Sequence, residues 1–393
     1  METASGLYPQ PFRIALVTDG LFPLSIGGMQ KHSVRLAAYL AEAGAEVLLF
    51  HPHPGARMSD LFSDCQCRKI TDIYIPWPEM PSFPGHYLLQ NYRYSKAVHE
   101  KLKELNGSLH AVYIQGFSGW KSIVSGLKNI PLVLNLHGME MFQTIKGIKN
   151  HLNGFMLRQP ATHLIKNADA VVSLGGKLSD LIKRVVPEQR VIELPVGIDA
   201  SWFQEYNTKK EGAVRTFLFV GRHEWRKGLD LLNAVIPSLA EQFTSSVRFE
   251  FVGAIPQESR LEHPSVHYYG PINDEVRLRN IFQKASFLVC PSYSEGMPTV
   301  ILEAMASALP VVATNVGAVS LLVSEKNGCI VEAGDALALK HAMQEMLELS
   351  EVDYRAACEN SASLAQNFQW KIVGASTLYQ LKGLYLELSA REP

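Results

Sequence analysis

Short apolar runs alternate with longer amphipathic stretches along nearly the whole chain, and the spacing predicts strands followed by helices. Phe12 to Thr18 reads as a strand. A glycine loop follows, then helical spacing from Met29 to Ala43 and a second strand, Glu46 to Phe50. Further strand-like runs stand at Ala111–Ile114, Leu132–Leu136, Ala170–Ser173 and Val191–Leu194, most of them separated by helical patterns. Strands this short and this uniformly apolar are buried on both faces, which implies a mostly parallel sheet between layers of helices.

The pattern then restarts. Thr216–Val220 leads into a helix over Gly228–Phe243, and Arg248–Val252, Val266–Tyr269, Phe287–Cys290 and Val311–Ala313 supply more strands. The expected fold class is α/β, with two Rossmann-like, doubly wound units. The polar, irregular stretch from Gly197 to Gly212 is the expected hinge. Trp370 to Leu388 is helical and amphipathic, and its pattern fits either the last helix of the second unit or a return to the first.

Composition narrows the class. With 393 residues, 47% hydrophobic and 19% charged, the chain can fill two sizeable cores. A net charge of −1 argues against a nucleic-acid partner. Five scattered cysteines do not make a disulfide framework, and Cys65 with Cys67 lacks the second pair that a zinc site needs. Met1 to Gln10 carries no secretory pattern, and no apolar run reaches the roughly 20 residues that span a bilayer. A cytoplasmic protein is expected, either free or held peripherally at the inner membrane face.

Candidate chemistry sits where strands give way to helices. Pro291 to Met305 follows a strand, turns at Gly296 and restarts as a helix at Pro298, a residue suited to a first turn. The helix start at Thr299 and Val300 offers free amides and a partial positive charge to a phosphate. Glu295 lies in the turn, and Glu303 lies among Ile301, Leu302, Ala304 and Met305, where a carboxylate needs partners. In the loop Pro23 to His32, Gly27 and Gly28 let a ligand approach the backbone; a plain tight turn is the alternative. In Phe219 to Gly228, Arg222 and Lys227 are candidates to hold a diphosphate, with Arg226 as a less certain third. His137, followed by Gly138 and Glu140, ends an apolar run and is either a sugar contact or structural. In the turn Leu194 to Asp199, Gly197 is expected to supply a special backbone angle.

Taken in order, these segments resemble the retaining glycosyltransferases of family 4 across nearly the whole chain. The resemblance rests on Gly27-Gly28 with His32, His137-Gly138 with Glu140, Pro195 to Asp199, Gly221-Arg222 with Lys227-Gly228, and Glu295 and Glu303 with seven residues between them. It implies the glycosyltransferase-B fold, with an acceptor-side domain over residues 1–198 and a donor domain over 199–372 facing a central cleft. A C-terminal helix at about 373–393 would pack back on the first domain. It also implies that Arg222, Lys227 and the amides near Thr299 and Val300 bind the donor diphosphate, and that Glu303 holds ribose hydroxyls. Glu295, with the backbone of Gly296 and Met297 ahead of Pro298, would bind the donor sugar. His137 would lie near the transferred sugar, and Gly27-Gly28 would face donor phosphates or acceptor. No cofactor and no metal are expected. Ala45, and Ser25-Ile26 before Gly27, depart from the family pattern without touching these groups.

The implied activity is transfer from a UDP-, GDP- or ADP-linked sugar to a glycan, lipid-linked or small-molecule acceptor. Its alternatives are a sugar-nucleotide 2-epimerase and a non-catalytic binder of the same ligand. Trp77, Phe83, Tyr87, Tyr92 and Tyr94 offer either acceptor stacking or packing. Lys146, Lys149, His151, Arg158, His163 and Lys166 among apolar residues fit either a membrane-surface helix or a covering helix.

Overall fold

The computed structural model describes residues 11–83, 85–143, 148–203 and 214–390, without the side chains of 148–153. The first half builds strands β1 (Arg13–Val17), β2 (Glu46–His51), β3 (Ile70–Tyr74), β4 (Ala111–Gln115), β5 (Leu132–Asn135), β6 (Ala170–Ser173) and β7 (Val191–Glu193). They form one parallel sheet in the order β3-β2-β1-β4-β5-β6-β7. The second half contributes β8 (Arg215–Val220), β9 (Val247–Val252), β10 (Val266–Gly270), β11 (Phe287–Cys290), β12 (Val311–Thr314) and β13 (Gly328–Val331). These form a second parallel sheet, β10-β9-β8-β11-β12-β13.

Burial on both faces explains the apolar strands. In β1, Ile14 and Leu16 enter one core while Ala15 and Val17 enter the other, all of them inaccessible to solvent. Each Ile or Leu so buried stabilises the fold by about 1.5–3 kcal/mol. The chain order reverses direction beside β1 in the first sheet and beside β8 in the second. Such switch points open a crevice at the strands' carboxyl ends, where ligands bind in open α/β sheets.

The closing helix, Trp370–Ser389, lies against the helix Gly28–Glu42 of the first half. A Cβ at Gly374 would come within 2.7 Å of the Tyr39 Cβ, so only glycine permits this approach. Trp370 stacks on Tyr39 at 6.2 Å, and Arg190 forms a forked ion pair with Glu387. Ile198 accepts from the Trp370 amide at 3.1 Å and donates to the Phe368 carbonyl at 2.7 Å. Gly197 therefore differs from its expected role. It has no left-handed backbone angle; a side chain there would overlap the Trp370 indole, 2.6 Å from Cγ.

Candidate active site

A cleft of about 560 Å³ opens between the carboxyl edges of the two sheets. Its first-half wall includes Gly28, His32, His137, Gly138 and Glu140. Its second-half wall includes Gly221, Arg222, Arg226, Lys227, Glu295, Gly296, Met297, Pro298, Thr299, Val300 and Glu303. Of the residues expected to bind the donor or border its sugar, all except Gly27 line this space. Gly27 precedes the helix Gly28–Glu42, and a Cβ on it would overlap the Gln30 amide oxygen.

The cationic wall is built by a short turn. Trp225–Lys227 forms a 3-10 turn ending at Gly228, whose φ of +71° is open to glycine. A side chain at Gly228 would also collide with the Pro291 carbonyl. The Tyr293 amide donates to the Arg226 carbonyl at 2.7 Å, and Trp225 stacks on Tyr293 at 4.4 Å. These contacts lock the turn to the loop that carries Glu295. The buried Glu295 carboxylate accepts from Lys227 Nζ at 2.6 Å, from Arg226 Nη1 at 3.4 Å and from Ser292 Oγ at 2.7 Å. Its side chain is thus engaged by the cations, while the backbone of the same loop faces the first half.

The sequence put Arg222 ahead of Arg226, and the two side chains sit differently. The Arg222 side chain is 76% exposed and, among the described residues, pairs only with Glu224, at 3.0 Å. Arg226 is mostly buried and reaches Glu224 at 2.7 Å, Glu295 at 3.4 Å and Glu140 of the opposite wall at 4.0 Å. Arg226 is therefore the more central guanidinium.

The helix Thr299–Ala306 begins beside these cations. Pro298 occupies its cap position (φ −70°, ψ 111°) rather than the first helical turn, and no side chain caps the helix. Its first amides stay available to a ligand. One helical turn further, burial pushes the Glu303 carboxyl up to about 7; Lys31 opposes the shift, and Glu275 and Asp199 add to it.

The two walls touch through backbone. A Cβ on Gly296 would lie 3.1 Å from the Gly138 Cα. The Gln143 amide spans the gap: its Nε2 donates to the Gly138 carbonyl and to the Glu295 carbonyl at 2.9 Å, while its Oε1 accepts from Ser294 Oγ at 2.8 Å. Sequence reasoning missed Gln143, because nothing in its neighbourhood marks a residue that works across a cleft. It missed Gln115 as well, though a polar residue closing the apolar run Ala111–Ile114 is a readable signal. Gln115 Oε1 lies 2.6 Å from His137 Nε2, and its Nε2 lies 3.0 Å from His32 Nδ1. His137 holds φ at +55°, its amide donates to Asn135 Oδ1 at 2.8 Å, and burial lowers its imidazole to about 4.

The aromatic segment divides. Tyr94 is core: its hydroxyl donates to the Thr18 carbonyl at 3.0 Å, and its ring meets Trp77 at 5.0 Å. Tyr92 packs on Trp120, whereas Phe83 and Tyr87 stay partly exposed. Of the basic stretch, Lys146 and the side chains of Lys149 and His151 lie outside the described residues. Helix Ile148–Asn167 exposes Phe155, and Arg158 Nε donates to the Met141 carbonyl at 2.8 Å. Among the described residues no helix is long and apolar enough to cross a membrane.

Comparison with known proteins places these walls in a family. Residues 26–202 match the model described as Glycosyltransferase Family 4, and residues 214–349 match Glycosyl transferases group 1. A putative teichuronic acid biosynthesis glycosyltransferase of Bacillus subtilis is 29% identical over 301 residues, covering 73% of this chain and 74% of that protein. The phosphatidyl-myo-inositol mannosyltransferase of Mycolicibacterium smegmatis is 25% identical over 387 residues, covering 93% and 92%. Among solved structures, sucrose-phosphate synthase from Thermosynechococcus elongatus superposes with a TM-score of 0.76 at 21% identity, over 97% of this chain and 100% of that one. Anabaena HepE in complex with UDP and glucose does so with a TM-score of 0.65 at 17% identity, over 95% and 100%.

Proposed function

Since the chain belongs to the family 4, group 1 glycosyltransferases, we propose that it moves a sugar from a nucleotide-sugar donor to a carbohydrate or lipid-linked acceptor, with retention and without a metal. One observation carries this reading: Lys227 and Arg226 converge on Glu295 beside the uncapped start of the helix Thr299–Ala306. That arrangement holds two cations and the first helix amides in place where a leaving diphosphate gains negative charge. HepE, the neighbour of the same fold, was solved with UDP and glucose, which supports a nucleotide-sugar donor here.

In the reaction proposed, the bond from the anomeric carbon to the diphosphate oxygen breaks and the acceptor oxygen bonds to that carbon on the same face. The acceptor's proton passes to the departing diphosphate oxygen. No protein nucleophile is needed. The chain's own groups bind and orient: Lys227, Arg226 and the helix amides take the diphosphate, Glu303 takes hydroxyls of the nucleoside, and His137 and the Gly138 backbone border the sugar. Phe83 and Tyr87 offer aromatic surface to the acceptor on the first-half side.

The test is nucleoside diphosphate release from UDP-, GDP- and ADP-sugars without acceptor, comparing the wild type with Glu295→Ala. Slow release from one donor, lost in the variant, supports transfer. An epimerised donor would favour the 2-epimerase reading, and an unchanged donor that still binds would favour a binder.

Glu303 adds a pH prediction. A carboxyl near 7 is half protonated at neutrality, and ribose hydroxyls donate more strongly to its ionised form. Affinity for the nucleoside diphosphate should therefore be tighter at pH 8 than at pH 6, by up to about tenfold. Calorimetric titration of the wild type and Glu303→Gln checks this, since the variant should lose the dependence. An equal dependence in both would remove Glu303 from the nucleoside site.

A further inference from the structure

The first-half wall rests on a polar chain whose middle member, Gln115, none of the quoted family motifs includes. Gln115 ends β4, fully buried, between two histidines from different elements: His32 in the helix Gly28–Glu42 and His137 after β5. The two imidazoles meet edge to face, with centroids 4.9 Å apart and planes at 86°. Behind them the Trp370 ring closes on His32 at 5.2 Å.

We propose that Gln115 is a positioning residue that fixes His137 as a single tautomer, with Nε2–H bound to Gln115 and Nδ1 left as the ring's acceptor. The inference deepens the transferase reading and rests on it only for the role of the cleft.

The amide dictates the proton positions. A primary amide has one accepting and one donating end. Its oxygen faces His137 Nε2, so that nitrogen carries the hydrogen. Its nitrogen faces His32 Nδ1, so that nitrogen carries none. Gln115 thereby couples the two rings: with its oxygen toward His137, hydrogen sits on His137 Nε2 while His32 Nδ1 is bare. Among the described residues, no hydrogen bond occupies His137 Nδ1. An unprotonated Nδ1 accepts from a hydroxyl and adds no positive charge beside a forming oxocarbenium centre. The left-handed His137 backbone, pinned by the amide bond to Asn135, holds the ring in reach of Gln115.

Burial of both rings acts in the same direction, since each imidazole is held below its ordinary range. The charged groups lining the same cleft are Arg222, Arg226 and Lys227 from the turn after β8, Glu295 and Glu303 around the second-half helix, and Glu140 beside His137.

The experiment reads His137 directly, by nitrogen-15 NMR of histidine-labelled full-length protein between pH 5.5 and 8, with His137→Asn for assignment. In the wild type His137 is expected to stay neutral, with hydrogen on Nε2, throughout. Gln115→Met keeps the length and removes both hydrogen bonds, so the His137 signals should move to a mixed-tautomer average. Gln115→Glu keeps the shape and places a carboxylate against Nε2, so His137 should become an imidazolium that titrates inside this window. A parallel rate measurement should show kcat for diphosphate release falling about 100-fold in Gln115→Met, with donor KM little changed, as expected for lost orientation. An unchanged His137 tautomer in Gln115→Met, with no new titration in Gln115→Glu, overturns the inference. The spectra need no donor, so a failure of the transferase reading would appear separately, as absent turnover alongside the expected histidine signals.

Discussion

Lys227→Ala is expected to lower kcat for nucleoside diphosphate release about 100- to 1000-fold at saturating donor, the usual effect of removing one preorganised donor to developing negative charge. Lys227 is placed for that role by rigid parts. Gly228 ends its turn against the Pro291 carbonyl, Trp225 stacks on Tyr293, and the ammonium sits 2.6 Å from the Glu295 carboxylate. The carboxylate holds the ammonium in place before a ligand arrives, so little reorganisation is left for the reaction. The substitution also strips one of three partners from a buried carboxylate, which weakens the fold locally while Arg226 and Ser292 remain. Thermal melting separates the two effects: a modest stability loss with a large rate loss supports the electrostatic role. Turnover near the wild-type level would end it. Arg222→Ala, at a mostly exposed side chain paired with Glu224, should cost less than Arg226→Ala.

Much of this was legible because the relevant signals are local. Two runs of buried parallel strands, each interrupted by glycine loops, announced two doubly wound sheets, and both formed. The two missed strands, β3 and β13, are two of the four edge strands. Ile70–Tyr74 exposes Thr71 and Asp72 to solvent, so its apolar signal is thin. Gly328–Val331 opens on a glycine needed where the chain passes the Val311 carbonyl. Edge position alone does not hide a strand, since the opposite edges β7 and β10 were expected; the thin or glycine-led apolar signal does.

The site divides along the same line. Residues that act within one loop, such as Lys227, Glu295 and Glu303, carry their own signal: charge beside glycine, or a carboxylate in apolar company. Residues defined by what lies across the fold carry none. Gln143 matters because it reaches both the Gly138 and Glu295 carbonyls, more than 150 residues apart in the case of Glu295. Gly197 matters because Trp370 returns to it. Arg226 outranks Arg222 only once the 3-10 turn decides which side chain points inward, and spacing cannot fix that.

Gly317→Ala is expected to abolish most activity although the residue is not among those lining the cleft. Gly317 follows β12, holds φ at +54°, and lies against the backbone of the donor loop. A Cβ there would overlap the carbonyl oxygens of both Glu295 and Gly296, and main-chain oxygens cannot swing aside as a flexible side chain does. The neighbouring Ala318 amide donates to that same Gly296 carbonyl at 2.8 Å, and the Lys177 amide of the first half donates to the Gly317 carbonyl at 3.0 Å. Any shift that relieves the overlap therefore moves the Glu295 loop, its ion pairs with Lys227 and Arg226, and the contact between the two walls. Left-handed strain alone costs about 1–2 kcal/mol, and overpacking adds about 1–3 kcal/mol. A displacement near 1 Å at the donor loop costs about 100-fold in rate. Gly270→Ala is the control. Gly270 lies in the same half at a φ of +74°, with nothing within 4 Å of the added carbon, so it carries the strain without the collision. Melting temperature and kcat measured on both variants should show comparable backbone strain but a rate loss confined to Gly317→Ala. Equal rates in the two would mean that the donor loop tolerates displacement, and that the packing beneath Glu295 does not set the geometry of the cleft.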